Sequence, residues 1–104
     1  MNKKDTINEL TNILAAALRH RIGSIVNDKE AYAQKYARDA EVLLKEAEKI
    51  SLMVHWNQYD KVSIKDILKK KLKEELEKKD FLSNRKFEIM DKEAEKAIVF
   101  LGLD

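Results

Sequence analysis

His20 and His55 are the only imidazoles in the chain, and His20 stands between two arginines in Leu18-Arg19-His20-Arg21-Ile22. An exposed imidazole titrating near neutrality can act as a nucleophile toward phosphoryl groups. Guanidinium groups beside it could hold the anion. Leu18, Ile22, Ile25 and Val26 can take the core side of a helix here, which turns His20 outward with Arg19 or Arg21 beside it. The same pattern also describes an ordinary surface histidine. Metal chemistry lacks ligands, because neither histidine has an H-x-x-x-H or E-x-x-H companion and the chain has no cysteine. No metal and no cofactor is expected.

A second group with chemical reach is Lys69, Lys70, Lys71 and Lys73, which could contact the phosphates of a nucleic acid. Lys70, Lys71 and Glu74 share a helix face, and no aromatic platform accompanies the lysines as single-strand binding would want. Glu74, Glu75 and Glu77 interleave with Lys70, Lys71, Lys73, Lys78 and Lys79 at helical spacing, the pattern of a solvated, salt-laced helix face. Two isolated glycines cannot build a phosphate-cradling loop, and no serine triad has its surroundings. Non-enzymatic function is the expectation.

These residues sit in a chain of 104 residues with 21 Lys+Arg against 19 Asp+Glu, 44% hydrophobic and 38% charged, with two glycines, no proline and no cysteine. That length makes a single domain, residues 1–104. The lack of cysteine rules out a disulfide framework and a thiol nucleophile. Divided after Val54, the chain carries 9 basic and 8 acidic residues, then 12 and 11, so charge is not segregated and names no partner. No apolar stretch approaches the roughly 20 residues of a membrane span. Asp5 and Glu9 stand where a signal peptide would be basic. A soluble, cytoplasmic protein is expected, without membrane contact.

The elements that must position the candidate residues are helices, since little in the composition would stop one. Thr6 with Glu9 reads as a capping box opening a helix over 6–26. Asn27 followed by Asp28 and Glu30 reads as a second start. Ala33, Tyr36, Ala40, Leu43, Ala47, Ile50 and Val54 then alternate three and four apart, a helix-packing seam whose alanines permit close approach of a partner helix. Residues 6–54 could be a hairpin or a single kinked rod of about 73 Å at 1.5 Å per residue. His55 to Asp60 should be a connection. Tyr32, Tyr36 and Trp56 are core or interface anchors. Ser63, with Asp66 after it, should cap a helix over 64–79 carrying Ile64, Leu68, Leu72 and Leu76. Asp80 to Lys86 is turn-rich, and residues 86–90 alternate briefly like a strand that has nothing to pair with. Asp91 should cap a last helix ending at Gly102, with Phe100 in an apolar run that needs cover.

Leu18-Arg19-His20-Arg21-Ile22, running on to Val26, resembles the H-box of sensor histidine kinases. Ile50 to Tyr59, followed by Val62-Ser63-Ile64-Lys65-Asp66-Ile67-Leu68, is similar to the end of the second hairpin helix and the segment after it in that family. The resemblance covers about half the chain. It implies a helical hairpin that dimerises into a four-helix bundle and presents His20 for phosphorylation. The family's ATP-binding domain is not among these residues, so the implied role is a passive phosphotransfer relay or a response-regulator-binding mimic, with Arg19 and Arg21 flanking the acceptor.

The combined expectation is an all-α bundle. An antiparallel hairpin over 6–55 forms its base, and two further helices over 63–101 pack on it. The expected function is a protein–protein interaction module, either a homo-oligomer or a small subunit of a larger assembly. Ala33, Tyr36, Ala40, Leu43, Ala47, Ile50, Val54 and Phe100 are its candidate interface residues. Phosphotransfer through His20 and nucleic-acid contact through Lys69, Lys70, Lys71 and Lys73 are the alternatives.

Overall fold

A computed structural model describes residues 2–104, which form four helices and no strand. Helix α1 spans Lys3–Val26, α2 Ala33–Ser51, α3 Gln58–Glu77 and α4 Arg85–Phe100. The all-α class and the hairpin base hold. None of the described helices is long and apolar enough to cross a membrane.

Several helix ends differ from the sequence-based expectation, each for a local reason. Asn2, not Thr6, caps α1, its side-chain oxygen accepting from the Asp5 N–H at 2.8 Å. Thr6 is buried inside the helix and donates its hydroxyl to the Asn2 carbonyl at 3.1 Å. A threonine can satisfy itself on an i−4 carbonyl, so Thr-x-x-Glu need not mark a start. Asn27 closes α1 rather than opening α2: its N–H donates to the Gly23 carbonyl at 3.1 Å and its amide to the Tyr32 hydroxyl at 2.6 Å. Residues 27–32 then turn the chain, so 6–54 is a folded-back hairpin and not a rod.

Helix α3 begins well before Ser63, at an Asn57–Asp60 capping box. The Asp60 N–H donates to Asn57 Oδ1 at 2.8 Å, and the Asn57 N–H donates to Asp60 Oδ2 at 3.1 Å. Ser63 lies within the helix, as does Asp91 within α4, which takes up the strand-like stretch 86–90. Phe87, Ile89 and Met90 all lean on the core, a demand that helical spacing meets and strand alternation does not. Gly102 ends α4 as expected. At φ +68° it takes the left-handed conformation, with Leu103 N–H donating to Ile98 O at 2.9 Å and Gly102 N–H to Val99 O at 3.0 Å, a Schellman closure that buries Leu103.

Helix α1 is the hub, touching all three others, while α3 and α4 also touch each other. These three enclose a core of Leu10, Leu14, Leu18, Ile22, Ile64, Leu68, Leu72, Leu76 and Ile98, all buried. Ion pairs tie their seams: Lys3 to Asp60 at 2.9 Å between α1 and α3, Arg21 to Glu93 at 3.0 Å between α1 and α4, and Lys65 to Glu95 at 2.8 Å between α3 and α4. The backbone of α2 approaches α1 alone. That leaves an open gap on each side of α2, one toward α4 and one toward α3 and the 78–84 turn.

Candidate functional site

The seam on α2 finds its partner helix inside the chain. Ala33, Ala40 and Ala47 are buried, and α1 is the helix they meet. They have no surface left for a second chain, which corrects their assignment to an external interface. The seam pattern specifies close helix packing but not whose helix supplies the other side. Tyr36, Leu43 and Ile50 are half-buried along the same helix, and Val54 is half-buried in the connection beyond it. Phe100 behaves differently: more than half of it is exposed, at the end of α4.

Phe100 lines the gap between α2 and α4, a groove of about 270 Å³. Leu18 and Arg21 of α1 form its floor, Glu41, Leu44 and Lys45 one wall, and Glu93, Lys96, Ala97 and Phe100 the other. Leu18, Leu44, Ala97 and Phe100 make the groove apolar at depth, while charges of both signs edge it. Glu93 is spent within the fold: it is buried, accepts from Arg21 Nε at 3.0 Å and lies 3.4 Å from Lys96 Nζ. Glu41 and Lys45 make no ion pair among the described residues. Arg21 therefore belongs to this groove and not to the surroundings of His20.

His20 opens on the other gap. It is half-buried rather than turned fully outward, its ring edge-on to Tyr36 with centroids 5.1 Å apart. Its Nδ1 lies 2.7 Å from the Ala16 carbonyl oxygen and 3.5 Å from Arg19 Nη2; the carbonyl can only accept, and this much shorter contact makes Nδ1 the donor. Arg19 stays beside it, with Nη1 3.6 Å from Glu75. A small cavity of about 60 Å³ is lined by Arg19, His20, Tyr36, Lys79, Phe81 and Leu82. The 78–84 turn supplies half of that wall, which the sequence around His20 gives no reason to expect. His55 is exposed on the α2–α3 connection, far along the chain from this cluster.

The lysine group is dispersed. Lys69 pairs with Glu95 at 3.1 Å. Lys71 turns onto α1, donating to the Asn8 side-chain oxygen at 2.8 Å and the Thr11 hydroxyl at 2.7 Å, and burial pushes its ammonium pKa below the ordinary lysine value. Only Lys70 and Lys73 stand exposed. A wider hollow of about 530 Å³ lies between the starts of α1 and α3, but its Lys3 and Asp60 are already bonded to each other. That bond, with the Asn57 N–H, holds the Asp60 carboxyl below its usual pKa.

The fold and its two gaps define an all-α protein in which a triangle of helices carries a fourth on its hub. No protein-family model, no curated protein and no solved structure matches the chain.

Proposed function

We propose that this chain is a non-enzymatic protein–protein interaction module whose α2–α4 groove receives an amphipathic helix of a partner chain. The observation that carries the reading is the groove itself, lined by Leu18, Leu44, Ala97 and Phe100 between two helices whose backbones do not approach each other. Helix-binding proteins use such a channel, with apolar anchors of the guest at helical spacing and polar contacts at the rim. A guest helix here would lie over α1 between α2 and α4, covering Leu44 and Phe100. Glu41 and Lys45, without an ion-pair partner among the described residues, would set its register.

Purification in mild salt, followed by light scattering, tests the reading. The expected result is a species heavier than the monomer, or a partner protein retained through the column. Phe100→Ser and Lys45→Glu should return a partner-free monomer with helicity unchanged. A clean monomer from the native chain at working concentration would count decisively against it. A species made only of this chain would make the guest helix a second copy.

A further inference from the structure

The cavity beside His20 has the makings of a ligand site that is separate from the α2–α4 groove. Its walls carry two cations of opposite origin, Arg19 from α1 and Lys79 from the α3–α4 turn, with the His20 imidazole between Tyr36 and the turn. Lys79 makes no ion pair among the described residues. The Lys79 carbonyl in turn accepts from the buried Lys86 ammonium at 2.8 Å, and Lys86 has no carboxylate partner either. One acid answers these charges, Glu75, at 3.6 Å from Arg19, and its side chain is 36% exposed. Asp80, next to Lys79 in the chain, is exposed and lies beyond ion-pair distance of it, so no carboxylate neutralises the Lys79 ammonium among the described residues.

The imidazole adds a direction to this. With Nδ1–H committed to the Ala16 carbonyl, the neutral ring has its lone pair on Nε2. Nε2 makes no hydrogen bond. Every buried side-chain nitrogen and oxygen among the described residues has a partner, so Nε2 is open to solvent. A ligand bonding to it must donate a hydrogen, while Arg19 and Lys79 ask for charged oxygens, a combination that a partly protonated oxyanion supplies. A cavity of about 60 Å³ has room for a few waters or one small tetrahedral ion, at roughly 10–15 Å³ of such volume per water. An aromatic ring would need far more room, about 150 Å³ for benzene.

We propose that this cavity binds monohydrogen phosphate, with Arg19 and Lys79 on its charged oxygens and its single O–H donating to His20 Nε2. The binding is reversible and involves no covalent step. Chemistry separates this ligand from its nearest mimics: sulfate has no O–H to donate at neutral pH, and neither has the dianion of a phosphomonoester.

The two-histidine composition makes the test internal, because His55 is exposed on the α2–α3 connection and serves as the reference. The ring resonances of both histidines are followed by NMR at pH 8 and constant ionic strength while chloride is exchanged for inorganic phosphate, for sulfate, or for O-phosphoserine. Phosphate should move the His20 signals along a saturating curve and leave those of His55 in place, with sulfate and O-phosphoserine at least several-fold weaker. Lys79→Gln and Arg19→Gln should each weaken phosphate about tenfold, the loss expected of one charge-assisted hydrogen bond. Equal, unsaturating drift of both histidines, or no movement of His20, overturns the site. Tighter binding of sulfate or O-phosphoserine overturns the role of Nε2, and unchanged affinity in Lys79→Gln overturns the charge argument. None of these outcomes bears on the α2–α4 groove, whose residues lie on the other side of α2.

Discussion

Helices α1 and α3 meet through fully buried leucines and isoleucines, whereas the fully buried contacts of α2 with α1 are alanines, with Leu44 and Ile50 half-buried beside them. The physical consequences differ. A buried leucine removes a large apolar surface from water and contributes about 1.5–3 kcal/mol, while an alanine contributes little more than one methyl group. Alanine brings two backbones close but provides few contacts to hold them there. The large side chains buried between α1 and α3 should therefore carry more of the stability per residue, and α2 is a strap laid closely along α1 with no second helix backbone to lean on. Both candidate sites lie along the margins of that strap, so whatever occupies them adds contacts to the element with a single helix neighbour.

The contrast can be broken most forcefully in the triangle. Leu72 lies on α3 with no exposed surface, among the other leucines of the core. Leu72→Ala should cost about 2–5 kcal/mol, from lost transfer energy plus the cavity left behind. A denaturant titration followed by circular dichroism reads this directly, and the whole helical signal should be lost in one transition at lower denaturant. A loss below about 1 kcal/mol would show that the triangle is not where stability resides.

The corresponding change in the strap is Ala47→Leu, which inserts bulk where α2 lies flush on α1. Overpacking should cost about 1–3 kcal/mol, and the strain has an easy outlet because α2 leans on nothing else. Hydrogen exchange should show α2 amides losing protection while those of α3 around Leu68 and Leu72 keep theirs. Uniform loss along the chain would mean that α2 opens only with the rest, which removes the distinction between strap and triangle.

A smaller effect sharpens the comparison at the helix starts. Helix α3 opens on a two-sided capping box, whereas α2 opens on Tyr32 with no side-chain cap bond at all. Asn57→Ala should cost about 1 kcal/mol, a loss that no substitution can reproduce at the start of α2, where Tyr32 has helical backbone and is held by its hydroxyl and ring instead. Asp60 gives this end of α3 a pH signature. Its folded pKa is lowered, chiefly by Lys3, so its contribution is present above the ordinary carboxylate value near ~3.9 and fades as pH falls through the lowered value. Asp60→Asn should accordingly destabilise at neutral pH and become indistinguishable from the native chain in strong acid. A pH-independent difference between the two would assign Asp60 to capping geometry instead of charge.

How much of this was legible in the sequence depended on whether the determining contact was local. The stripe Ile64, Leu68, Leu72 and Leu76 announced a buried helix face, and Gly102 announced its own turn, because both signals need only a few neighbouring residues. The helix starts misled, since Thr6 and Ser63 have the spacing of caps but the true caps, Asn2 and Asn57, lie upstream. The seam Ala33, Ala40, Ala47 was visible as a seam, yet its occupant depended on a turn at 27–32, where Asn27 closes α1 rather than opening α2. The two sites were least legible. Arg21 and Arg19 are adjacent in the chain to His20 but face different gaps, and the partners of His20 in its cavity, Tyr36, Lys79 and Phe81, arrive from two other parts of the chain. Only packing brings them together.

The smallest expected effect is also the finest probe of how the strap is seated. A Cβ on Gly23 would come within 3.0 Å of Tyr36 Cδ2 and 3.2 Å of Cε2, and the Tyr36 ring is itself lodged against His20 and Tyr32. Gly23→Ala therefore sets a helix-propensity gain of about 0.8–1 kcal/mol against a ring that must give way. With the ring held on two sides, the two effects should nearly cancel, leaving a net change within about 0.5 kcal/mol. In a Tyr36→Ala background the obstacle is gone and the full propensity gain should appear, so a double-mutant cycle returns a coupling of about 0.5–1 kcal/mol between the positions. Additive behaviour would mean that Tyr36 yields freely, and that α2 rests on α1 through its alanines alone.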